Sequence, residues 1–393
     1  MRFPEYTGEW KTSSVEDCLI RLENGANYDA NDIEGLPMSR IETISTSHID
    51  YSKVGHSANL KNAEHYKMNY GDILFSHINS VRHIGKTAYY EAEKPLYHGM
   101  NLLLLRCGQE IDSKFFFYLL NNRHFLQRCQ VLAKQAVNQA SISISDLRKI
   151  GIYVPQHDEQ ERIAKFLSII DERITTQIRI IEDLRNLKTY IHNRVFSKVN
   201  TLFGQRNTIR LSDIATKITR KNKGNTINNV LSNSAAMGIV PQAEVFDKEI
   251  ANEDNTANYY VIENGDFVYN PRKSAQAPFG PINMYKGQAK GIISPLYLCF
   301  QVTDINKNYL LHYFMSNVWY SYIYSNGDTG VRHDRVSIKD ETFLNMPLYI
   351  HTVDKQQEIA NMMEQVDAKI ALEELYLTKF QKQKDYLLSA MFV

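Results

Sequence analysis

The stretch "DEQERIAKFLSIIDERI" from Asp158 is answered by "DKQQEIANMMEQVDAKI" from Asp354. One offset of 196 residues carries Ile163 onto Ile359 and Asp171 onto Asp367, and that offset is half of the 393-residue chain. Gln160 and Gln356, Ala164 and Ala360, Ile174 and Ile370, Lys188 and Lys384, Tyr190 and Tyr386, and Phe196 and Phe392 pair at the same distance. Upstream, "IGIYV" at 150–154 falls on "MPLYI" at 346–350. Small slips then bring "GDILFS" from Gly71 onto "GDFVYN" from Gly265 and "YLLNN" from Tyr118 onto "YFMSN" from Tyr313. The chain is a diverged tandem duplication whose unit is too long for a solenoid repeat.

The repeated segment has helical periodicity. Apolar residues at Ile163, Leu167, Ile170, Ile174, Ile178, Ile181, Leu184, Leu187, Ile191 and Val195 follow each other by threes and fours, and Ile359, Met363, Val366 and Ile370 open the second copy of the stripe. The spacing predicts helices over 159–196 and 355–392, each roughly 60 Å long at 1.5 Å per residue. Pro155 marks the change from strand to helix. Two mixed blocks remain, and the expected organisation is 1–155, a central helix within 156–200, 201–350, and a terminal helix within 351–393. Glycine turns separate strand-like runs such as "GDILFSHI", "KTAYY" and "MNLLLLRC", with "GDFVYN" and "SPLYLCFQV" in the second block. A helix is expected near 113–132 and near 307–324, capped by Ser113 and Asn306, followed by polar loops at 134–141 and 326–337. The expected fold class is α+β: two mixed α/β domains separated by two long antiparallel coiled-coil helices, with pseudo-two-fold symmetry.

Composition narrows the function. The net charge is +1, with 17 bases against 17 acids in 1–155 and 15 against 13 in 206–349. Phosphate contacts dominate DNA affinity, so a chain this neutral that binds DNA needs a partner to supply much of the grip. No run reaches the 18 or so apolar residues of a membrane span, and the N-terminus has no signal-peptide core. Cys18, Cys107, Cys129 and Cys299 lack C-x-x-C spacing and read as reduced thiols in a cytoplasmic protein. "GKT" at 85–87 has Ser80 where a phosphate-binding loop needs glycine, and "NP" at 270–271 is followed by Arg272 rather than the Pro-aromatic pair of an amino-methyltransferase. The histidines show no metal spacing. No catalytic constellation, and no metal or cofactor site of the chain's own, is expected.

Recognition chemistry is present. Lys134, Gln135, Asn138, Gln139 and Ser141 lie in one polar loop, and Arg332, His333 and Arg335 in its counterpart. Amides suit adenine and guanidinium suits guanine in the major groove. Arg220, Lys221 and Lys223, with Arg272 and Lys273, are candidate phosphate contacts. These loops differ between the copies while the helix stripes keep their character.

The doubled segment, each copy preceded by a strand ending in or near Pro and followed by a helix ending "RVFS" or "AMFV", resembles the specificity subunit of type I restriction-modification systems. The "GD" strands and polar loops extend the resemblance over nearly the whole chain. The second copy departs from it in "YIHTVDKQQ", which lacks the proline, and the first in His157, where the family tends to have a hydrophobic residue. The resemblance implies two target recognition domains, each reading half of a split double-stranded DNA sequence. It also implies long helices that set the spacing and dock two modification subunits, which bind S-adenosylmethionine and methylate adenine. A restriction subunit using ATP completes the complex, and the specificity subunit has no active site. The stripe residues Ile163, Leu167, Ile170, Ile174, Ile359, Met363, Val366 and Ile370 stand for the docking and spacer helices. Two alternatives are a subunit of a related system whose partner both cuts and methylates, and a coiled-coil scaffold that binds no DNA.

Overall fold

A computed structural model describes residues 2–29, 32–44, 48–136, 139–197, 203–245, 253–328 and 334–392. The chain forms two compact units, one of residues 1–178 with 375–393 and the other of residues 179–374. The duplication is visible in their sheets. Unit 1 orders its strands Leu19–Asn24, Leu103–Cys107, Ile73–Phe75 and Thr87–Tyr89, all antiparallel. Unit 2 repeats that order with Ala215–Lys217, Leu298–Val302, Phe267–Tyr269 and Ile282–Met284.

The turn into the central strand is built the same way twice. Gly71 and Gly265 hold φ of 89° and 86°, a left-handed conformation that favours glycine. The next residue folds its carboxylate back: Asp72 accepts from the Asn69 amide at 2.7 Å, and Asp266 from the Glu263 amide at 2.8 Å. Each buried carboxylate then takes an arginine, but from a different strand environment. Arg106 grips Asp72 with two bonds of 2.7 and 2.8 Å. In unit 2 the arginine is Arg220, 3.2 Å from Asp266 and 3.1 Å from Glu263.

The two mid-domain helices are each broken in two. Ser113–Leu120 is capped by Asp112, whose carboxylate accepts from Phe115 N at 2.6 Å, so the expected Ser113 cap is corrected by one residue. Ser113 instead lies in the first turn, its hydroxyl 2.9 Å from that of Tyr89. Asn122 ends this helix by donating to Leu119 O and starts Arg123–Leu132 by accepting from Phe125 N. Asn306 caps Lys307–Met315 as expected, and Tyr320–Asn326 follows.

The long helices run His157–Phe196 and Val353–Met391. Most of their stripes is interior, with Ile178 and Leu187 exposed. In unit 1, Ile163, Leu167, Ile170 and Ile174 share a core with Phe115, Phe116, Leu387, Leu388, Met391 and Phe392. In unit 2, Ile359 and Met363 share one with Val195, Phe196, Tyr309 and Tyr313. Ile370 is buried and Val366 half-buried. Each unit thus pairs the start of one long helix with the end of the other. An ion pair equivalent under the 196-residue offset joins the helices in each unit: Asp171 to Lys384, and Asp367 to Lys188. In unit 2, Arg185–Glu374 and Lys188–Asp367 occur in opposite order along the two helices, so this pair is antiparallel.

A buried glutamine ties each helix start to its mixed block. Gln160 accepts from the Asp112 amide at 2.9 Å and donates to the carbonyls of Glu110 and Pro155, while Gln356 accepts from the Asn306 amide at 3.1 Å and donates to His351 O. Gln160→Ala removes a side-chain bond from one amide and two carbonyls, of which Glu110 O keeps a contact of 3.2 Å with His157 Nδ1, and a loss of about 2 kcal/mol is expected in chemical denaturation.

One pair departs from the symmetry. His192 Nε2 lies 3.1 Å from His312 Nδ1 inside unit 2, where unit 1 has Leu388 and Phe117 at the offset positions. Burial holds both imidazoles well below their ordinary range, and the nearby Lys188 opposes their protonation while Asp367 favours it. An unfolded imidazole titrates near 6.5, so the unfolded chain binds more protons than the folded one below that pH. Stability is intact above it and falls as the pH drops below it. The double variant His192→Leu/His312→Phe should show a shallower loss of melting temperature than the parent chain between pH 7 and 5.

Candidate nucleic-acid interface

The polar segment 134–141 of unit 1 was expected to be a loop; it is a hairpin. Lys134–Ala136 pairs with Gln139–Ser141 in the register Gln139 to Ala136 and Ser141 to Lys134. The second strand also pairs with Ile78–Asn79, Ser141 opposite Ile78 and Ala140 opposite Asn79. Alternation explains it: Ala140 and Ile142 are buried while Ser141 between them is exposed. Lys134 is exposed as well. Gln135 and Gln139 sit on the two strands, and Asn138 lies outside the described residues.

The partner strand continues into a turn that sequence reading did not single out. Asn79 Oδ1 accepts from the Ser80 amide at 2.8 Å, and the Ser80 hydroxyl lies 3.1 Å from His83 Nδ1 across the turn Val81–His83. An offset of 194 residues, the one relating Gly71 to Gly265, carries Ile78 and Asn79 onto Arg272 and Lys273. That correspondence could have found them.

Unit 2 builds the same contact between strands. Arg272 bridges Arg335 in antiparallel register. The Lys273 amide donates to Asp334 O and the Val336 amide to Pro271 O, both at 2.9 Å. The Asp334 carboxylate lies 3.4 Å from the Arg335 guanidinium and 4.0 Å from that of Arg272, and the bond from Arg335 holds its pKa below the usual range. Arg335 Nε is buried with no partner among the described residues. A cleft of about 460 Å³ beside it is lined by Lys217, Tyr260, Tyr297, Arg335 and Asp340 among others. Arg332 and His333 lie outside the described residues.

The basic run at 220–223 divides. Arg220, expected as a phosphate contact, is 48% exposed and paired with Asp266 and Glu263, where it neutralises a carboxylate that is 7% exposed. Asn222 is buried and bonds both ways to Ile227. Lys221 and Lys223 are exposed, Lys221 donating to Asn258 at 3.4 Å. Among the described residues no group of three or more His, Cys, Asp and Glu could hold a metal ion.

A family model described as the type I restriction modification DNA specificity domain matches residues 8–184. Over 98% of this chain and 93% of its relative, the sequence is 30% identical to the MjaX type I restriction enzyme specificity subunit of Methanocaldococcus jannaschii. The chain belongs to the type I restriction-modification specificity subunits. It therefore serves in DNA recognition and is not itself catalytic. Two solved structures share the fold of this specificity subunit. The type I restriction-modification S subunit from M. genitalium aligns with a TM-score of 0.53 at 16% identity, covering 100% of this chain and 99% of that one. A chain from a study of complex assembly and conformational transition in a type I system aligns with 0.59 at 14% identity, covering 98% and 97%.

In this specificity subunit the stripe residues Ile163, Leu167, Ile170, Ile174, Ile359, Met363 and Ile370, expected for docking and spacing, are buried within the fold, while Ile178 and Leu187 of the same stripe are exposed. A second apolar seam faces outward. At about 100° per residue, Ile180, Leu187 and Tyr190 of unit 2 fall within about 80° of one another on their helix, and all are exposed. Leu375, Tyr376 and Tyr386 of unit 1, also exposed, span about 100° of theirs. The 196-residue offset relates Ile180 to Tyr376 and Tyr190 to Tyr386, and the two tyrosines are 59% and 62% exposed.

Removing Arg220 separates structure from recognition. Arg220→Ala leaves Asp266 buried without its cation, so a destabilisation of about 1–3 kcal/mol is expected, with the DNA sequence methylated by the assembled enzyme unchanged. A changed sequence in a stable Arg220→Ala complex would return Arg220 to the interface.

Proposed function

We propose that the two units each read one half of a bipartite double-stranded DNA target, through the paired strands at 78–79 and 134–141 in unit 1 and at 271–273 and 334–337 in unit 2. The observation that carries this reading is the recurrence of one strand-pairing position on one sheet order, with different side chains in the two copies. A chain that reads one two-part sequence needs a shared frame and unlike reading groups. The near-neutral charge supports a partner that shares the grip on the phosphates.

The outward seams support docking of two copies of one partner, since equivalent positions carry apolar and aromatic residues in both units. That partner is the modification subunit, which brings S-adenosylmethionine and methylates adenine; a restriction subunit using ATP joins the same assembly. No helix among the described residues is long and apolar enough to cross a membrane, which supports a cytoplasmic site of action. Each long helix contributes residues to both units, so its length is the element that sets the number of unread base pairs between half-sites.

Co-expressed with its modification subunit, the chain should direct methylation of one split sequence across a genome, and the complex should lose methylation without S-adenosylmethionine. Methylation of cytosine, or of no defined motif, would overturn the reading. Tyr190→Arg and Tyr386→Arg should each remove one modification subunit in native mass spectrometry, weakening its binding at least tenfold, about 1.4 kcal/mol. A double variant that keeps two subunits at parental affinity would move the docking surface elsewhere. Four residues inserted in both helices, after Ile178 and after Glu374, add one turn of about 5.4 Å. The half-sites should stay the same and the spacer between them should lengthen.

A further inference from the structure

The duplication places one strand-pairing position twice. Ile78 stands opposite Ser141 in unit 1 and Arg272 opposite Arg335 in unit 2, and a 194-residue offset relates both members of the pair. Around this position the frame keeps its chemistry: the glycines at 71 and 265, the carboxylates of Asp72 and Asp266, the caps Asp112 and Asn306, and the glutamines at 160 and 356. At the position itself an aliphatic side chain and a hydroxyl give way to two guanidiniums. A group that only holds phosphate has the same task in both units, because the backbone carries no sequence; a group that reads base edges must differ wherever the half-sites differ.

Arg335 is also prepared for such a task. Asp334 lies 3.4 Å from one terminal nitrogen, and Asp334 is itself fixed by the Lys273 amide on its carbonyl. The Nε edge of the guanidinium is buried and has no partner among the described residues. Arg272, opposite, is 61% exposed and 4.0 Å from the same carboxylate. The Arg335 side chain is 28% exposed, so it is the terminal nitrogens of a guanidinium held by Asp334, and not the buried Nε, that face two acceptors lying in a plane, the pattern that guanine O6 and N7 present.

We propose that this cross-strand position fixes base identity in each half-site, and that Arg335 requires a guanine in the half read by unit 2. The proposal rests on the reading that these strands contact DNA. The test uses the complete chain with its modification subunit and sequences the methylated genome for the parent and for Arg335→Lys, Arg335→Ala and Ile78→Arg/Ser141→Arg. Melting temperatures check that each variant folds, and Arg335→Lys, which keeps charge and most of the stem, carries the test should the alanine variant unfold.

With Arg335→Lys, the preference for guanine at one position of one half-site should fall roughly 10- to 100-fold while the other half-site stays intact. The Ile78→Arg/Ser141→Arg variant should change only that other half-site. An unchanged motif for Arg335→Lys at the parental rate, or a uniform loss that added salt deepens, would show that charge alone matters and would make Arg335 a phosphate contact. If the parent complex methylates no split sequence, the reading beneath the proposal fails; if it does and both variants keep its motif, the proposal alone fails.

Discussion

Each unit is closed by a helix end that belongs to the other copy of the repeat. Phe392 lies 5.4 Å from Phe115 and 6.3 Å from Trp10 between ring centres; Phe196 lies 5.3 Å from Tyr309 and 5.4 Å from Tyr313. Without those rings and the Leu387, Leu388 and Met391 beside the first, the sheets and short helices of a block have an open apolar face. The ion pairs Asp171–Lys384 and Asp367–Lys188 then fix which stretch of one helix lies beside which stretch of the other. Such pairs add little energy where they are exposed. Their contribution here is register, because sliding either helix by a turn would separate both charges and stripe.

Much of this was legible from residue order alone. A 196-residue offset that aligns Ile163 with Ile359 and Phe196 with Phe392 fixes the duplication, and a stripe by threes and fours fixes the helices, because helical periodicity is a local property. The partner of the stripe was not local. Periodicity says that a face is buried and cannot say against what, so the same isoleucines served as candidates for docking until the structure put them in the core. The outward seam is short and diluted by charges, and stands out only once the buried face is known. At 134–141, alternation was hidden because the inward residue is Ala140, whose weak hydrophobicity gives little signal beside glutamines and asparagine. Arg220 sat in a run of bases, and nothing near it in sequence announces a buried carboxylate 46 residues away.

The frame and the paired-strand positions are under different physical demands, which accounts for the uneven divergence of the copies. Gly71 and Gly265 hold a backbone conformation that side chains disfavour, and Gln160 and Gln356 bond backbone groups beside the helix starts; each has few substitutes. The arginine that neutralises the turn carboxylate shows a looser demand. It must reach, but it can come from Arg106 in one copy and Arg220 in the other. Exposed positions on the paired strands are freer still, since Ser141 and Arg272 face outward and no core depends on their shape.

The closing of unit 1 by residues 375–393 also imposes an order on the chain's own making. A ribosome releases Trp10, Phe115 and Ile163 long before Leu387 and Phe392 exist. At about 5–20 residues per second, the 224 residues from Ile163 to Leu387 (387 − 163) alone take on the order of 11–45 s to emerge. Through that interval the first block presents an uncovered apolar face to the cell while the second is still being synthesised. Residues 375–393 follow the whole of unit 2 in translation and seal unit 1, so a chain cut short just before Leu375 keeps the residues of its second unit and lacks the closing segment of its first.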